Sequence, residues 1–240
     1  MSVGLSEAKL PPAASMPFLL LREAVLAEFA GTAALLAIVV GSGIMGERLA
    51  QGNAAIALLA NSLATGAGLY VLITLLGSIS GAHFNPVVTG VMWWRGELPT
   101  RQFLAYLVAQ VAGAILGVWL THLMFDIPVF QIGVKARTGL GQWVSEVVAT
   151  AGLLATILLG LRAQSKAIPA LVGSYIMAAY WFTASTSFAN PAVTIARSLT
   201  TTFSGIQPAD MLGFIAAQVV AAMLVLGMLR WLRPPAKAAS

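Results

Sequence analysis

The chain contains no cysteine. That excludes disulfides, thiolate metal sites and a cysteine nucleophile. Charge is scarce as well: charged residues make up 9% of the 240 residues, against roughly 25% in an ordinary soluble domain. Histidine occurs only at His83 and His122, far apart in sequence. There is no GxSxG, no HExxH and no His-Asp cluster, so an enzyme has no candidate catalytic residues, and no metal or cofactor is expected. What remains is apolar. Hydrophobic residues reach 59% and the mean hydropathy is +0.89, more apolar surface than a soluble globule can bury. Several stretches approach the ~20 residues that cross a ~30 Å hydrocarbon core. Disorder, a secreted disulfide scaffold and a cytosolic enzyme are excluded, and the fold class is an all-α membrane protein.

Six spanning helices are expected over 22–45, 53–77, 100–124, 140–162, 167–187 and 209–232. Their orientation follows from Lys and Arg. With the N-terminus inside, the cytosolic face receives Lys9, Arg22, Arg95, Arg101, Arg162, Lys166, Arg230, Arg233 and Lys237, and the opposite face Arg48, Lys135 and Arg137. Nine against three places both termini in the cytosol. The net charge of +5 thus reads as topology and lipid headgroup contact, not as a nucleic-acid footprint. Residues 1–21 and 233–240 are expected as cytosolic tails around one domain, 22–232. The first tail carries Lys9, Pro11 and Pro12 and lacks the early apolar run of a cleaved signal peptide. Trp143, Trp181 and Trp231, near span ends, suit an interfacial belt. Gly113 and Gly117 form a GxxxG in the third span; close helix contact and chance in a glycine-rich chain both account for it.

Two apolar segments, 84–94 and 189–203, are too short to span, and each carries an Asn-Pro at its start: Asn85-Pro86 and Asn190-Pro191. Proline suits the first turn of a helix and asparagine caps one. Each segment therefore reads as a half-helix that enters the membrane without crossing it. The chain also repeats itself. EFAGT (28–32) matches EVVAT (146–150), NPVVT (85–89) matches NPAVT (190–194), and QVAGA (110–114) matches QVVAA (218–222). The repeats, about 22–124 and 140–232, are joined by a loop at 125–139. Three spans per half is an odd number, so the second half is inserted upside down. Inverted repeats with broken helices put the functional site at their interface, near the midplane.

Non-helical backbone survives at membrane depth only beside protein or water. Each half-helix N-terminus carries about half a positive charge. Two such ends facing one pore repel cations while neutral solutes pass. Asn85 and Asn190 are expected to cap their helices through oxygen and leave their amide N–H groups free for a passing solute.

At this point SGAHFNPVVT (80–89) and FANPAVT (188–194) resemble the two signature boxes of the major intrinsic protein family, the aquaporins and aquaglyceroporins. The resemblance covers about 23–231. It implies a bundle of six transmembrane helices with two re-entrant half-helices, a homotetramer in the cell membrane, and one pore per subunit built around Asn85, Pro86, Val87 and Asn190, Pro191, Ala192. It also implies a narrow filter at four positions. Counted from the boxes, these are Thr65, Ala178, Ser187 and Val193. The water-selective pattern has an aromatic, a His and an Arg there. Here Thr65 stands for the aromatic and Val193 for the Arg, so the filter is expected to be wide and uncharged. The first box departs mildly, with Val87 for Ala.

Such a filter admits larger neutral solutes: glycerol, urea, water, and trihydroxy metalloids such as arsenite. The stretch after the second box resembles a bacterial subgroup associated with arsenic-resistance operons, which points to metalloid passage; a general water, glycerol and urea channel is the alternative. Arg197, one turn beyond Val193, faces either the outer vestibule or the loops and headgroups. Glu28 and Glu146 are expensive in apolar spans. Their symmetric placement favours holding the re-entrant loops, and a proton relay in a secondary transporter is the remote alternative. His83 orients its loop or senses pH. His122 is expected at the interface, and Gln110 and Gln218 bridge helices. Tyr70 and Tyr180 receive no function.

Overall fold

A computed structural model describes residues 18–231. The expected tails, and with them Lys9, Arg233 and Lys237 of the charge count, lie outside the described residues, apart from 18–21, which already belong to the first helix. Among the described residues the chain forms eight α-helices and no strand: α1 Phe18–Leu49, α2 Ala54–Ser80, α3 Pro86–Trp94, α4 Thr100–Met124, α5 Leu140–Arg162, α6 Ile168–Phe182, α7 Pro191–Arg197 and α8 Pro208–Trp231.

Local chemistry sets the ends. Asn53 caps α2 by accepting from the backbone N–H groups of Ala55 and Ile56 at 3.1 and 3.3 Å. Gly81 closes α2 in the left-handed conformation, φ 87°, which costs a glycine little. The half-helices start at Pro86 and Pro191, as their Asn-Pro pairs dictate. The second ends earlier than expected, at Arg197 instead of near 203.

Among the described residues five helices, α1, α2, α4, α5 and α8, are long and apolar enough to cross a membrane. The expected span at 167–187 is shorter: α6 stops at Phe182 after 15 residues, about 22 Å at 1.5 Å per residue. The run Thr183-Ala-Ser-Thr-Ser187 ends it. Thr183 leaves the helix in extended backbone while its hydroxyl donates back to the Ala179 carbonyl at 2.6 Å. Hydroxyl residues compete in this way with helical bonding.

The contacts repeat between halves. α1 packs on α2 and α4 as α5 packs on α6 and α8; α3 touches α4 and α8, α7 touches α8 and α4, and the pairs α2–α6 and α3–α7 meet across the centre. Small residues make this possible. A Cβ on Gly113 or Gly117 would collide with the carbonyl oxygens of Phe29 or Ala33, so the GxxxG is a true α4–α1 contact. At the α2–α6 crossing, a Cβ on Gly66 would meet the Gly173 carbonyl at 2.8 Å and one on Gly173 the Gly66 carbonyl at 2.5 Å.

Polarity is inverted relative to a soluble protein. Leu26, Val108 and Leu212 are exposed on the outside, whereas Glu28, Gln110, Glu146 and Gln218 are fully buried. An apolar exterior suits lipid, and a buried polar interior demands that each group find a partner.

Candidate functional site

The two Asn-Pro boxes meet head to head. Asn85 and Asn190 hold extended backbone, φ −155° and −160°. The Asn85 Oδ1 accepts from Val87 N at 3.0 Å; the Asn190 Oδ1 accepts from Ala192 N and Val193 N at 3.0 and 3.3 Å. The amide nitrogens are not free, as the sequence had suggested. Asn85 Nδ2 donates to the Ala189 carbonyl at 2.7 Å, and Asn190 Nδ2 donates to the Phe84 carbonyl at 2.8 Å. Each amide spends one hydrogen stapling the opposite half. Because the group has two N–H donors, the other remains for the lumen. Val87 and Ala192 are buried within the protein, and Val87 shares one buried apolar cluster with Leu154 and Leu158.

A carboxylate holds each re-entrant loop from behind. Glu28 accepts four hydrogen bonds: from Ser80 Oγ at 2.7 Å, His83 N at 2.9 Å, Phe84 N at 2.7 Å and Gln110 Nε2 at 2.7 Å. Glu146 accepts from Phe188 N at 2.8 Å, Ala189 N at 2.9 Å and Gln218 Nε2 at 2.6 Å. The glutamines also donate to Thr89 and Thr194 at 2.9 and 3.0 Å, and both threonines donate to the carbonyl of their own box asparagine. The strain is paired too. Ala82 and Phe84 in one loop, and Ser187 and Ala189 in the other, adopt φ of 49°, 48°, 52° and 48°. Left-handed backbone at non-glycine residues costs of order 1–3 kcal/mol each and persists only where the surroundings dictate it. The carboxylates supply that dictation. Neither glutamate lines the cavity described next; Glu28 meets it through its bonded neighbours Ser80 and His83.

A cavity of about 890 Å³ passes between the half-helices. One mouth lies at Glu97, Pro99 and Ser165. The cavity continues past His83, Asn85 and Asn190, along apolar walls that include Leu35, Val39, Leu69, Val172 and Ile176, to the far end at Arg197. His83 Nδ1 lies 3.2 Å from Thr89 Oγ1, and its ring meets Tyr106 edge-on. This holds the imidazole against the box.

At the Arg197 end the lining residues are Thr65, Tyr180, Ser187, Val193 and Arg197. Ala178 is not among them and is exposed. The face that α6 turns to the cavity is Ile168, Val172, Ile176 and Tyr180, a four-residue step that excludes 178. The position twelve residues before Asn190 falls off the cavity-facing side of α6. Tyr180, to which the sequence had assigned no function, lines the cavity instead, and its hydroxyl lies 3.3 Å from Thr65 Oγ1. Nor is this end uncharged. Arg197 is 2% exposed; its Nε donates to the Ser204 carbonyl and its guanidinium lies 3.4 Å from the Phe188 ring centroid. Its side chain thus lines the cavity while its Nε reaches back to a loop carbonyl.

The loop 125–139 backs this end. Arg137 Nε donates to the Gly205 carbonyl at 2.9 Å and Nη1 to the Ser185 carbonyl at 3.2 Å. His122, expected at the interface, is fully buried, with Nδ1 2.7 Å from the Val129 carbonyl and Nε2 2.9 Å from Thr200 Oγ1. It ties α4 to the segments on either side of that mouth.

Comparison with known proteins agrees with this geometry. The profile of the family described as Major intrinsic protein matches residues 15–187. The chain is 57% identical over 212 residues to the aquaglyceroporin AqpS of Rhizobium meliloti, covering 88% of this chain and 91% of that protein. It is 31% identical over 172 residues to aquaporin AqpM of Methanothermobacter marburgensis, covering 63% and 70%. The crystal structure of the aquaglyceroporin from Plasmodium falciparum superposes with a TM-score of 0.68 at 17% identity, covering 89% of this chain and all of that one. The chain belongs to the major intrinsic protein family, as a multi-pass membrane channel and not an enzyme.

Proposed function

We propose that the protein is a passive channel for small neutral solutes, that the ring of Thr65, Tyr180, Ser187, Val193 and Arg197 is its filter, and that it passes glycerol-like molecules and trivalent metalloids such as arsenite. The observation that carries this reading is Val193. It occupies the buried, cavity-lining position next to the second box, where a short apolar side chain leaves room and the sole guanidinium of the ring stands one turn farther along α7. A neutral trihydroxy solute suits the lumen: apolar walls for its body, and Asn85 and Asn190 for its oxygens. The relative named an aquaglyceroporin supports the same class. The head-to-head half-helices set a positive barrier to cations. We place the Arg197 mouth outside and both termini in the cytosol, in a homotetramer in the cell membrane whose exposed apolar helix faces meet lipid and neighbouring subunits.

A second reading, a general water, glycerol and urea channel, is favoured by the ring itself, since Tyr180 and Arg197 narrow what Thr65 and Val193 open. Purified protein in liposomes separates the two. Arsenite entry is expected to exceed the protein-free rate clearly and to be unchanged when proton and sodium gradients are collapsed. Arsenite entry at the protein-free rate, with glycerol passing, would establish the general channel instead, and gradient-dependent entry would turn the protein into a transporter.

A further inference from the structure

We propose that the Arg197 mouth is also a binding site for a small oxyanion, which seats at the filter without traversing it and so competes with neutral solutes. This rests on the reading of the cavity as the solute path. Arg197 is buried and lines the cavity, yet its only hydrogen bond among the described residues runs from Nε to Ser204. The rest of its five N–H donors have no protein acceptor. A second polar group at the same end lacks a partner altogether: the Ser187 hydroxyl is buried, lines the cavity and makes no hydrogen bond among the described residues. Buried polar groups are almost always paired. A guanidinium held by Ser204 and Phe188 but with donors to spare, in the same cavity wall as an unpaired buried hydroxyl, describes a place for oxygen acceptors. The Tyr180 and Thr65 hydroxyls face the same space.

The electrostatics select an anion over a neutral acceptor. Arg137 and Lys135 stand behind Arg197, and none of the three forms an ion pair with a carboxylate among the described residues. The neighbouring acids are spoken for: Glu146 by its three donors, and Asp210 by Arg137 N at 2.6 Å and Gln207 Nε2 at 2.9 Å. Glu146 attracts both Arg137 and Arg197, and Glu47 attracts Lys135, but neither acid forms an ion pair with them among the described residues. Burial first, then the charges of Arg137 and Arg197, hold the Lys135 ammonium below its ordinary range; the cluster repels itself, and a bound anion relieves it. Passage inward is another matter. Beyond the ring the walls are mostly apolar, and the cost of stripping water from a bare ion, several kcal/mol, exceeds what the half-helix N-termini return, about 0.3–1 kcal/mol each and up to about 2. The anion therefore stops where the neutral solute proceeds.

The test pairs two readouts. Glycerol permeability of proteoliposomes is measured as sulfate replaces chloride on both sides at constant ionic strength, and sulfate binding to the detergent-solubilised protein is measured by calorimetry. From simple occupancy, permeability is expected to fall about tenfold when sulfate stands at ten times its dissociation constant. Arg197→Gln abolishes both the inhibition and the binding heat, and Lys135→Gln weakens them, which keeps the test decisive if the first variant does not fold. No sulfate effect in the wild type, or an equal effect in R197Q, overturns the site. Sulfate binding through Arg197 in a protein that conducts no glycerol leaves the site standing and removes the solute path on which its competition depends.

Discussion

Val193→Arg lowers glycerol and arsenite permeability at least about tenfold, a barrier increase of about 1.4 kcal/mol, while water permeability falls much less. Val193 is 5% exposed, and its side chain belongs to the cavity wall. Its backbone N–H is already held by Asn190, so the substitution alters the lumen more than the loop. A guanidinium there brings five donors and a longer side chain into the ring opposite Thr65. It also stands four residues from Arg197 on the same helix, where like charges cost a few tenths of a kcal/mol; that is small enough for the fold to absorb. Molecules wider than water lose their clearance first. Val193→Ala is the matching control and keeps the larger solutes moving. Stopped-flow light scattering with water, glycerol and arsenite gradients reads all three. Equal rates for every solute in V193R and wild type would remove Val193 from the filter.

Glu28→Leu unfolds the first re-entrant loop, and its effect on stability exceeds that of any single filter substitution. The change removes an acceptor that serves four donors, among them two backbone N–H groups of a loop with left-handed residues at Ala82 and Phe84. Each buried donor left unpaired costs roughly 1–3 kcal/mol, so the sum is of the order of a whole domain's stability. Glu146→Leu orphans three donors and is expected to be somewhat milder. Glu28→Gln is milder still, since one oxygen stays to accept. Thermal unfolding in detergent orders the series: wild type, E28Q, E146L, E28L. A Glu28→Leu protein with wild-type stability and full glycerol flux would contradict the loop-holding role.

The parts of the site that the sequence disclosed are those whose geometry is local. An asparagine before a proline caps the helix it begins, so Asn85 and Asn190 could be placed without knowing the fold. Internal repetition then paired Glu28 with Glu146 and Gln110 with Gln218. What stayed hidden depended on distances that no spacing encodes. The crossed donations from Asn85 to Ala189 and from Asn190 to Phe84 join residues 104 and 106 apart. Tyr180 was missed because a count made backwards from the box lands on Ala178, two positions off the cavity-facing row of α6. The i, i+4 face from Ile168 through Val172 and Ile176 was the signal that could have found it. Arg197 could not be aimed from sequence either, because its direction is fixed by the Ser204 carbonyl and the Phe188 ring, which come from the turns on either side of α7. In place of the wide, uncharged filter expected from Thr65 and Val193, we propose a ring with one open side and one cationic side.

That ring and the continuous cavity behind it make one central claim, passive conduction of small neutral solutes. Glycerol-gradient shrink–swell of liposomes, with and without the purified protein, tests it most directly. Rapid glycerol re-entry, proportional to the protein content and indifferent to imposed proton or sodium gradients, is the expected result. Re-entry no faster than through protein-free bilayers, from a protein shown to be folded, would contradict it.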